Sequence, residues 1–388
     1  MSSKEKPCIF VVAGEPSGDR LGADAIEALK ETKAYEFCGI GGPLMEEAGD
    51  FRSLVPLQTL SVMGLGFLKK MPQILCAFLK AKRVLAKKEP DVFLSFDAPD
   101  FALRLVQYAP PQTYRVHCVA PSVWAWRPGR ALKIAKKIDH LLALFPFEPP
   151  YFEKHGLKTT FVGHPKAERV QPPGRSFWRL YPHLSPKKPL LLLMPGSRAQ
   201  EIKTLLPLFL QTARASLEQV PGMQVVLLTL PAWRKTLEPQ LPFWVTLVSD
   251  PHHHGVCMRA ATAALVASGT ATLELGLATC PMVVAYKVSF GLAAVLRQLI
   301  KTPFAALPNI LHQKEVVPEC LQEGCTVDRL LHHLLPLLRK ESAFRVQKKA
   351  LLKLGSLLRA RASFGESVAK AVHEGCLQKR KGRRGSQS

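Results

Sequence analysis

The chain has 388 residues, with 53 Lys and Arg against 30 Asp and Glu, giving a formal charge of +23 that asks for a polyanionic partner or surface. With 47% hydrophobic and 21% charged residues there is material for two packed cores, which excludes global disorder. The prolines and glycines follow no every-third-residue pattern, so a collagen-like chain is excluded, and nine scattered cysteines without a C-x-x-C argue against a disulfide or zinc framework.

The first apolar run, Cys8-Ile9-Phe10-Val11-Val12-Ala13, is too short for a signal peptide and is followed at once by Glu15-Pro16, so it reads as a buried strand. Strands are predicted over 9–13, 36–39, 92–95, 114–119, 141–143 and 160–162, with helices over 19–30, 72–88 and 101–107. This alternation predicts α/β architecture built from βαβ units, with ligands beyond the carboxyl ends of a mainly parallel sheet. A first domain closes near residue 165, and 166–188, rich in Pro, Arg and Lys, reads as a linker with a short helix. A second α/β series spans 189–345, with strands over 190–194, 224–229, 263–266 and 282–286 and a helix over 200–216. Helices over 330–338, with Asp328 as a possible cap, and 342–375 follow; 346–378 reads as a closing helical segment and 379–388 as a basic, disordered tail. The most membrane-like stretch, 260–286, is interrupted by Glu274 and Pro281, so a soluble cytoplasmic protein without a transmembrane helix is expected.

Five loops have the composition of binding sites. Gly14-Glu15-Pro16-Ser17-Gly18-Asp19 follows the first strand and could face an anion with its backbone amides, or be a tight turn capped by Ser17 or Asp19. In Ser95-Phe96-Asp97-Ala98-Pro99-Asp100, Asp97 could take a proton from a bound hydroxyl, while a turn or cap role is as good a reading, and better for Asp100. Ser122-Val123-Trp124-Ala125-Trp126-Arg127, followed by Arg130, Lys133, Lys136 and Lys137, suits a sugar face or a phosphate, or else packed tryptophans. Gly196-Ser197-Arg198 and Ser268-Gly269-Thr270, the latter with Glu274 one turn on, form two strand-turn-helix loops in one domain. Together they suggest a nucleotide diphosphate site. His252-His253-His254 lacks metal-ligand spacing. Finally, Val62-Met63-Gly64-Leu65-Gly66-Phe67-Leu68 runs into a segment, 69–88, in which every charged residue is basic. That is the pattern of an element on an anionic membrane, or of a core helix with a solvated basic face.

Taken together, Gly14 to Asp19, Gly41-Gly42-Pro43, Ser61 to Gly64, Phe96 to Phe101, Pro121 to Trp126, Phe145 to Glu148, Val162-Gly163-His164, Pro195 to Arg198, Ala267 to Glu274 and Leu307-Pro308-Asn309 resemble the lipid-A-disaccharide synthase family, in the family's order. The resemblance implies a GT-B glycosyltransferase fold, with two Rossmann-like domains and a central cleft. It implies inverting transfer of 2,3-diacylglucosamine from UDP-2,3-diacylglucosamine to O6 of 2,3-diacylglucosamine 1-phosphate in lipid A biosynthesis. Asp97 would be the general base; Arg198, Ser197, Ser268, Gly269, Thr270, Glu274 and Asn309 would bind the UDP donor. Glu15, Ser17, Ser122, Trp124, Trp126 and Arg127 are candidates for acceptor contacts, and Val62, Met63, Leu65, Phe67 and Leu68 for docking on the cytoplasmic face of the inner membrane. No metal, other cofactor or nucleic-acid partner is expected. A homodimer is left open, and the resemblance implies that the last helices either cross between subunits or pack back on the first domain.

Overall fold

The computed structural model describes residues 6–60, 66–123, 129–169, 173–288 and 302–385, and of 66–70 and 380–385 only the backbone. The chain forms two compact units, one of residues 1–165 with 358–388 and the other of residues 166–357.

In the first unit, β1 (Cys8–Ala13), β2 (Glu36–Ile40), β3 (Val92–Phe96), β4 (Tyr114–Cys118), β5 (His140–Ala143) and β6 (Lys158–Phe161) form a parallel sheet in the order β2-β1-β3-β4-β5-β6. Its crossovers include α1 (Pro16–Thr32), α2 (Pro43–Gly49), α3 (Gly66–Lys88), α4 (Pro99–Leu105), α5 (Gly129–Ala135) and α6 (Pro149–Glu153). Strand β1 is apolar throughout because both faces are covered. Along β1, Ile9, Val11 and Ala13 pack with Ile26 and Leu29 of α1, while Phe10 and Val12 face Ala81, Leu85, Leu103 and Ile134 of α3 to α5.

The second unit opens with α7 (Pro165–Glu168) and α8 (Arg175–Leu180). Residues 166–188 are thus part of it and not a free linker, because Phe177 is buried among Leu190, Val226 and Val256. Its sheet comprises β7 (Leu190–Met194), β8 (Gln224–Leu228), β9 (Val245–Val248), β10 (Ala263–Ala267), β11 (Met282–Tyr286) and β12 (Glu319–Leu321), all parallel, in the order β12-β11-β10-β7-β8-β9. Sequence periodicity misses both edge strands, β9 and β12. Helices α9 (Ala199–Gln219), α10 (Arg234–Leu237), α11 (Pro251–Ala260), α12 (Thr270–Leu277), α13 (Leu307–His312), α14 (Val327–Leu338), α15 (Ser342–Leu352) and α16 (Leu354–Leu357) complete it. The cap of α14 is Thr326, whose hydroxyl accepts from the Arg329 amide at 3.4 Å, and not Asp328.

The stretch expected as one helix over 342–375 breaks after α16, and α17 (Phe364–Gly385) belongs to the first unit. There Phe364, Val368 and Val372 join the core under α1. Gly375 admits the Tyr114 ring, since a Cβ would lie 1.9 Å from its nearest ring atom. The tail read as disordered is helical through Gly385 and is tied down by Lys379, which pairs with Asp139 at 3.1 Å and donates to the Thr113 carbonyl at 3.0 Å. Among the described residues no helix is long and apolar enough to cross a membrane.

Candidate functional site

The loops after β1 and β3, which are adjacent, bring Glu15, Ser17 and Asp97 of the first unit together. The Ser17 hydroxyl donates to Asp97 Oδ2 at 3.4 Å, and the Ala98 amide donates to Asp97 Oδ1 at 2.9 Å. Asp97 (φ 55°) and Ala98 (φ 45°) are left-handed, as is Val119 (φ 78°) after the neighbouring β4, a costly conformation for a β-branched residue. The turn is pinned by the Asp97 amide, which donates to the Cys118 carbonyl at 3.1 Å. Gly14 permits this close approach, because a Cβ there would lie 2.3 Å from Ala98 Cβ. Asp97 is half-buried, so its carboxylate is fixed yet reachable. Burial, and secondarily the Asp97 charge, pushes the Glu15 carboxyl above its usual range.

Asp19 has a different task. Its buried carboxylate accepts the amides of Gly42 (2.8 Å), Met45 (3.1 Å) and Leu44 (3.2 Å), so it caps α2 and is engaged within the fold. Asp100 is exposed and pairs with Arg130 at 2.6 Å. Ser122 is exposed beyond β4. Trp124, Trp126 and Arg127, and likewise Val62, Met63 and Leu65, lie outside the described residues; Phe67 and Leu68 are placed in α3 by backbone alone.

In the second unit a cavity of about 360 Å³ lies at the carboxyl ends of β7, β8 and β10, between the starts of α9 and α12. It gathers Ser197, Arg198, Ser268, Gly269, Thr270 and Glu274, and adds Glu201, Thr229 and His254, which sequence reasoning did not assign. The α12 start offers amides that helix geometry leaves without intrahelical partners. Ser268 is more constrained than expected: its amide donates to the Ala285 carbonyl at 2.9 Å and its hydroxyl to the Ala305 carbonyl at 3.0 Å, so both donors are engaged within the protein. At the α9 start, Glu201 Oε2 accepts the Ser197 and Arg198 amides at 3.0 and 3.2 Å, and its Oε1 takes the Arg198 guanidinium at 2.7 Å. Gly196, at φ 111°, makes room for this carboxylate, because a Cβ would come within 2.4 Å of Oε2. Glu274 forms an ion pair with Lys166 of α7, which lies 108 positions earlier in the chain. Among the described residues Thr229 Oγ1 and His254 Nε2 are buried without hydrogen-bond partners, and burial pushes the His254 imidazole down toward its neutral form.

Asn309 departs from its expected role as a nucleotide contact. Its side chain is fully buried: Nδ2 donates to the Val317 carbonyl at 2.8 Å and to Glu319 Oε1 at 2.7 Å, while Oδ1 accepts the amides of Val316 (2.7 Å) and Val317 (2.9 Å). Every donor and lone pair of the amide is used within the fold. Its reach toward the cavity is indirect, through Glu319, which also accepts the Ala305 and Ala306 amides at 2.9 Å, and through Ala305, whose carbonyl holds Ser268. The histidine run lies at the start of α11, where His253 shares a hydrogen bond with Tyr181 at 2.9 Å. Among the described residues no three His, Cys, Asp or Glu side chains form a metal-binding group.

Residues 9–372 match the family model described as lipid-A-disaccharide synthetase. The chain is 42% identical over 351 residues to the lipid-A-disaccharide synthase of Rhodospirillum centenum, covering 87% of each protein. It is 41% identical over 349 residues to that of Pseudomonas putida, covering 86% of this chain and 90% of the relative. Among solved structures it is similar to UDP-GlcNAc 2-epimerase from Neisseria meningitidis bound to UDP-GlcNAc (TM-score 0.60, 13% identity, 96% and 99% of the two chains). It is also similar to sucrose-phosphate synthase from Thermosynechococcus elongatus (TM-score 0.57, 16% identity, 96% and 99%). At that identity the structural likeness speaks for the two-unit α/β fold, whereas the match over most of the sequence takes in both the Asp97 turn and the loops of the second-unit cavity. The chain belongs to the lipid-A-disaccharide synthase family.

Proposed function

We propose that this chain catalyses the reaction its family is named for: inverting transfer of 2,3-diacylglucosamine from UDP-2,3-diacylglucosamine to O6 of 2,3-diacylglucosamine 1-phosphate, which yields the β(1→6)-linked disaccharide 1-phosphate and UDP. The observation that carries the residue-level reading is the Asp97 carboxylate, held at the end of β3 by a strained turn and left half-exposed. Asp97 accepts the O6 proton as that oxygen attacks the anomeric carbon from the face opposite UDP, and the bond from the anomeric carbon to the diphosphate oxygen breaks. The half-buried Glu15, with its raised pKa, and the exposed Ser17 flank the acceptor hydroxyl.

In this reading UDP occupies the second-unit cavity. Arg198 turns from Glu201 to the diphosphate, the α12 start adds its amides, and the departing charge is stabilised by these groups without a metal. Ser268 serves as an acceptor and as a support of the wall, and Glu274, steadied by Lys166, takes the ribose hydroxyls.

The acylated substrates place the chain on the cytoplasmic face of the inner membrane. Support comes from α3, where Met71, Leu75 and Leu79, spaced by one helical turn, are 44, 59 and 45% exposed beside Lys80, Lys82, Arg83 and Lys87. The assay is UDP release in detergent: release that requires both acylated substrates supports the reading, and release of UDP from the donor at the same rate without the acceptor contradicts it.

A further inference from the structure

Helices α4 and α5 follow the adjacent strands β3 and β4 and cover the same face of the first sheet as α3. Between α4 and α5 runs a groove of about 640 Å³ lined by Arg104, Arg130, Lys133 and Lys137, with Asp100 its single acidic lining residue. Asp100 engages Arg130, and Lys137 Nζ donates to the Leu103 carbonyl at 3.3 Å; among the described residues Arg104 and Lys133 have no ion pair. Four cations against one carboxylate in a concave site focus a positive potential that an anion would relieve. Arg130 and Lys137 are the half-buried members, and the Arg130 charge reaches His117 on the strand beneath, a fully buried imidazole whose Nε2 has no hydrogen-bond partner among the described residues.

Two further relationships narrow the ligand. The groove begins at Pro99 and Gly129, the first residues of α4 and α5, and Pro99 is two residues beyond Asp97. The helices on this face of the sheet also carry exposed apolar side chains: Leu132 on α5, Tyr108 just after α4 with Lys82 Nζ 4.0 Å above its ring, and the Met71, Leu75 and Leu79 stripe of α3, which packs on α4 through Phe78 and Phe101 at 5.7 Å between ring centroids. A phosphate beside an apolar surface is the chemistry of a phosphorylated amphiphile.

We propose that the α4–α5 groove, through Arg104, Arg130, Lys133 and Lys137, binds the phosphate monoester of the acylated sugar acceptor while its hydroxyl lies at Asp97. This rests on the acceptor reading above. A phospholipid headgroup offers similar chemistry, and the chain proximity of Asp97 favours the sugar phosphate.

The test uses the full chain and the double variant R104Q/K133Q, with Lys133→Gln alone as a milder second variant, both first checked for a parent-like thermal transition. Turnover is measured with the phosphorylated acceptor and with its dephosphorylated analogue. Line broadening of the 31P signal of glucosamine 1-phosphate reports binding without turnover, and cosedimentation with phosphatidylcholine vesicles containing phosphatidylglycerol reports headgroup binding. The double variant should raise KM for the phosphorylated acceptor about tenfold, the scale expected of lost charge-assisted contacts. The donor KM and turnover of the dephosphorylated analogue should be unchanged, the 31P broadening lost and cosedimentation retained. Parent-like acceptor KM and broadening would overturn the proposal, as would equal losses with both acceptors or loss confined to phosphatidylglycerol vesicles. Loss of broadening in the variant when the parent itself shows no turnover would uphold the groove and count against the reaction instead.

Discussion

The Glu201 carboxylate holds the Arg198 guanidinium at 2.7 Å while its second oxygen accepts the Ser197 and Arg198 amides. An internal anion thus fills the position that the start of α9 offers to a phosphate, so a diphosphate must compete with it. Glu201→Gln, which removes the charge and keeps a capping amide, should tighten UDP binding several-fold, whereas Arg198→Ala should weaken binding and turnover together by roughly tenfold or more. Calorimetric titration with UDP checks both, and equal affinities in parent and variants would contradict the phosphate role of Arg198.

Asn309 and Glu319 act one step behind the cavity wall. Asn309→Ala leaves the half-buried Val316 and buried Val317 amides without their acceptor and should cost about 1–3 kcal/mol in urea unfolding. Glu319→Gln can keep only part of the four-way arrangement with Asn309, Ala305 and Ala306, so Ser268 should lose its fixed position. The donor KM should rise a few-fold with the acceptor KM unchanged. An unchanged donor KM would show that this network does not position the site.

His117 makes stability depend on pH. Burial, assisted by Arg130, pushes its imidazole down to about 4 from an ordinary 6.5. As pH falls from about 6.5 the unfolded chain gains a proton that the folded chain refuses, so stability drops until about pH 4, where both take it. The full loss is roughly 3 kcal/mol at 1.36 kcal/mol per pKa unit. His117→Gln should flatten this part of the curve of unfolding midpoint against pH, and an identical slope in both proteins would contradict the assignment.

The exposed stripe of α3 should decide attachment to lipid. Replacing Met71, Leu75 and Leu79 together by Ser should release the protein from anionic vesicles at moderate salt while leaving the thermal transition within a few degrees, since these side chains are already exposed. Undiminished cosedimentation would refute docking through this face.

Much of the site was legible in the sequence because parallel α/β sheets place ligands after the strands, and residue type alone marks such loops. Asp97 after an apolar run and Ser268-Gly269-Thr270 before a helix fall where that grammar puts them. What escaped was long-range pairing. Nothing local separates an Asn that meets a ligand from one saturated inside the fold, so the internal bonds of Asn309 are not legible in the sequence, and Lys166 lies in a Pro-rich stretch far from Glu274. Glu201 could have been found, since an acidic residue three positions after a helix cap is a capping signal. The edge strand β12 is three residues long behind Pro318, too short for any periodicity to register, and Pro72 reads as a helix start although it lies inside α3, which begins at Gly66.

The most direct measurement is incubation of the parent and Asp97→Asn with UDP-2,3-diacylglucosamine and 2,3-diacylglucosamine 1-phosphate in detergent, followed by mass analysis of the lipid product and NMR of its anomeric linkage. The account predicts a β(1→6)-linked disaccharide 1-phosphate from the parent. From the variant it predicts a yield roughly a hundredfold or more lower, with UDP affinity retained. No disaccharide from the folded parent would contradict the proposed reaction, and undiminished turnover in Asp97→Asn would contradict its mechanism.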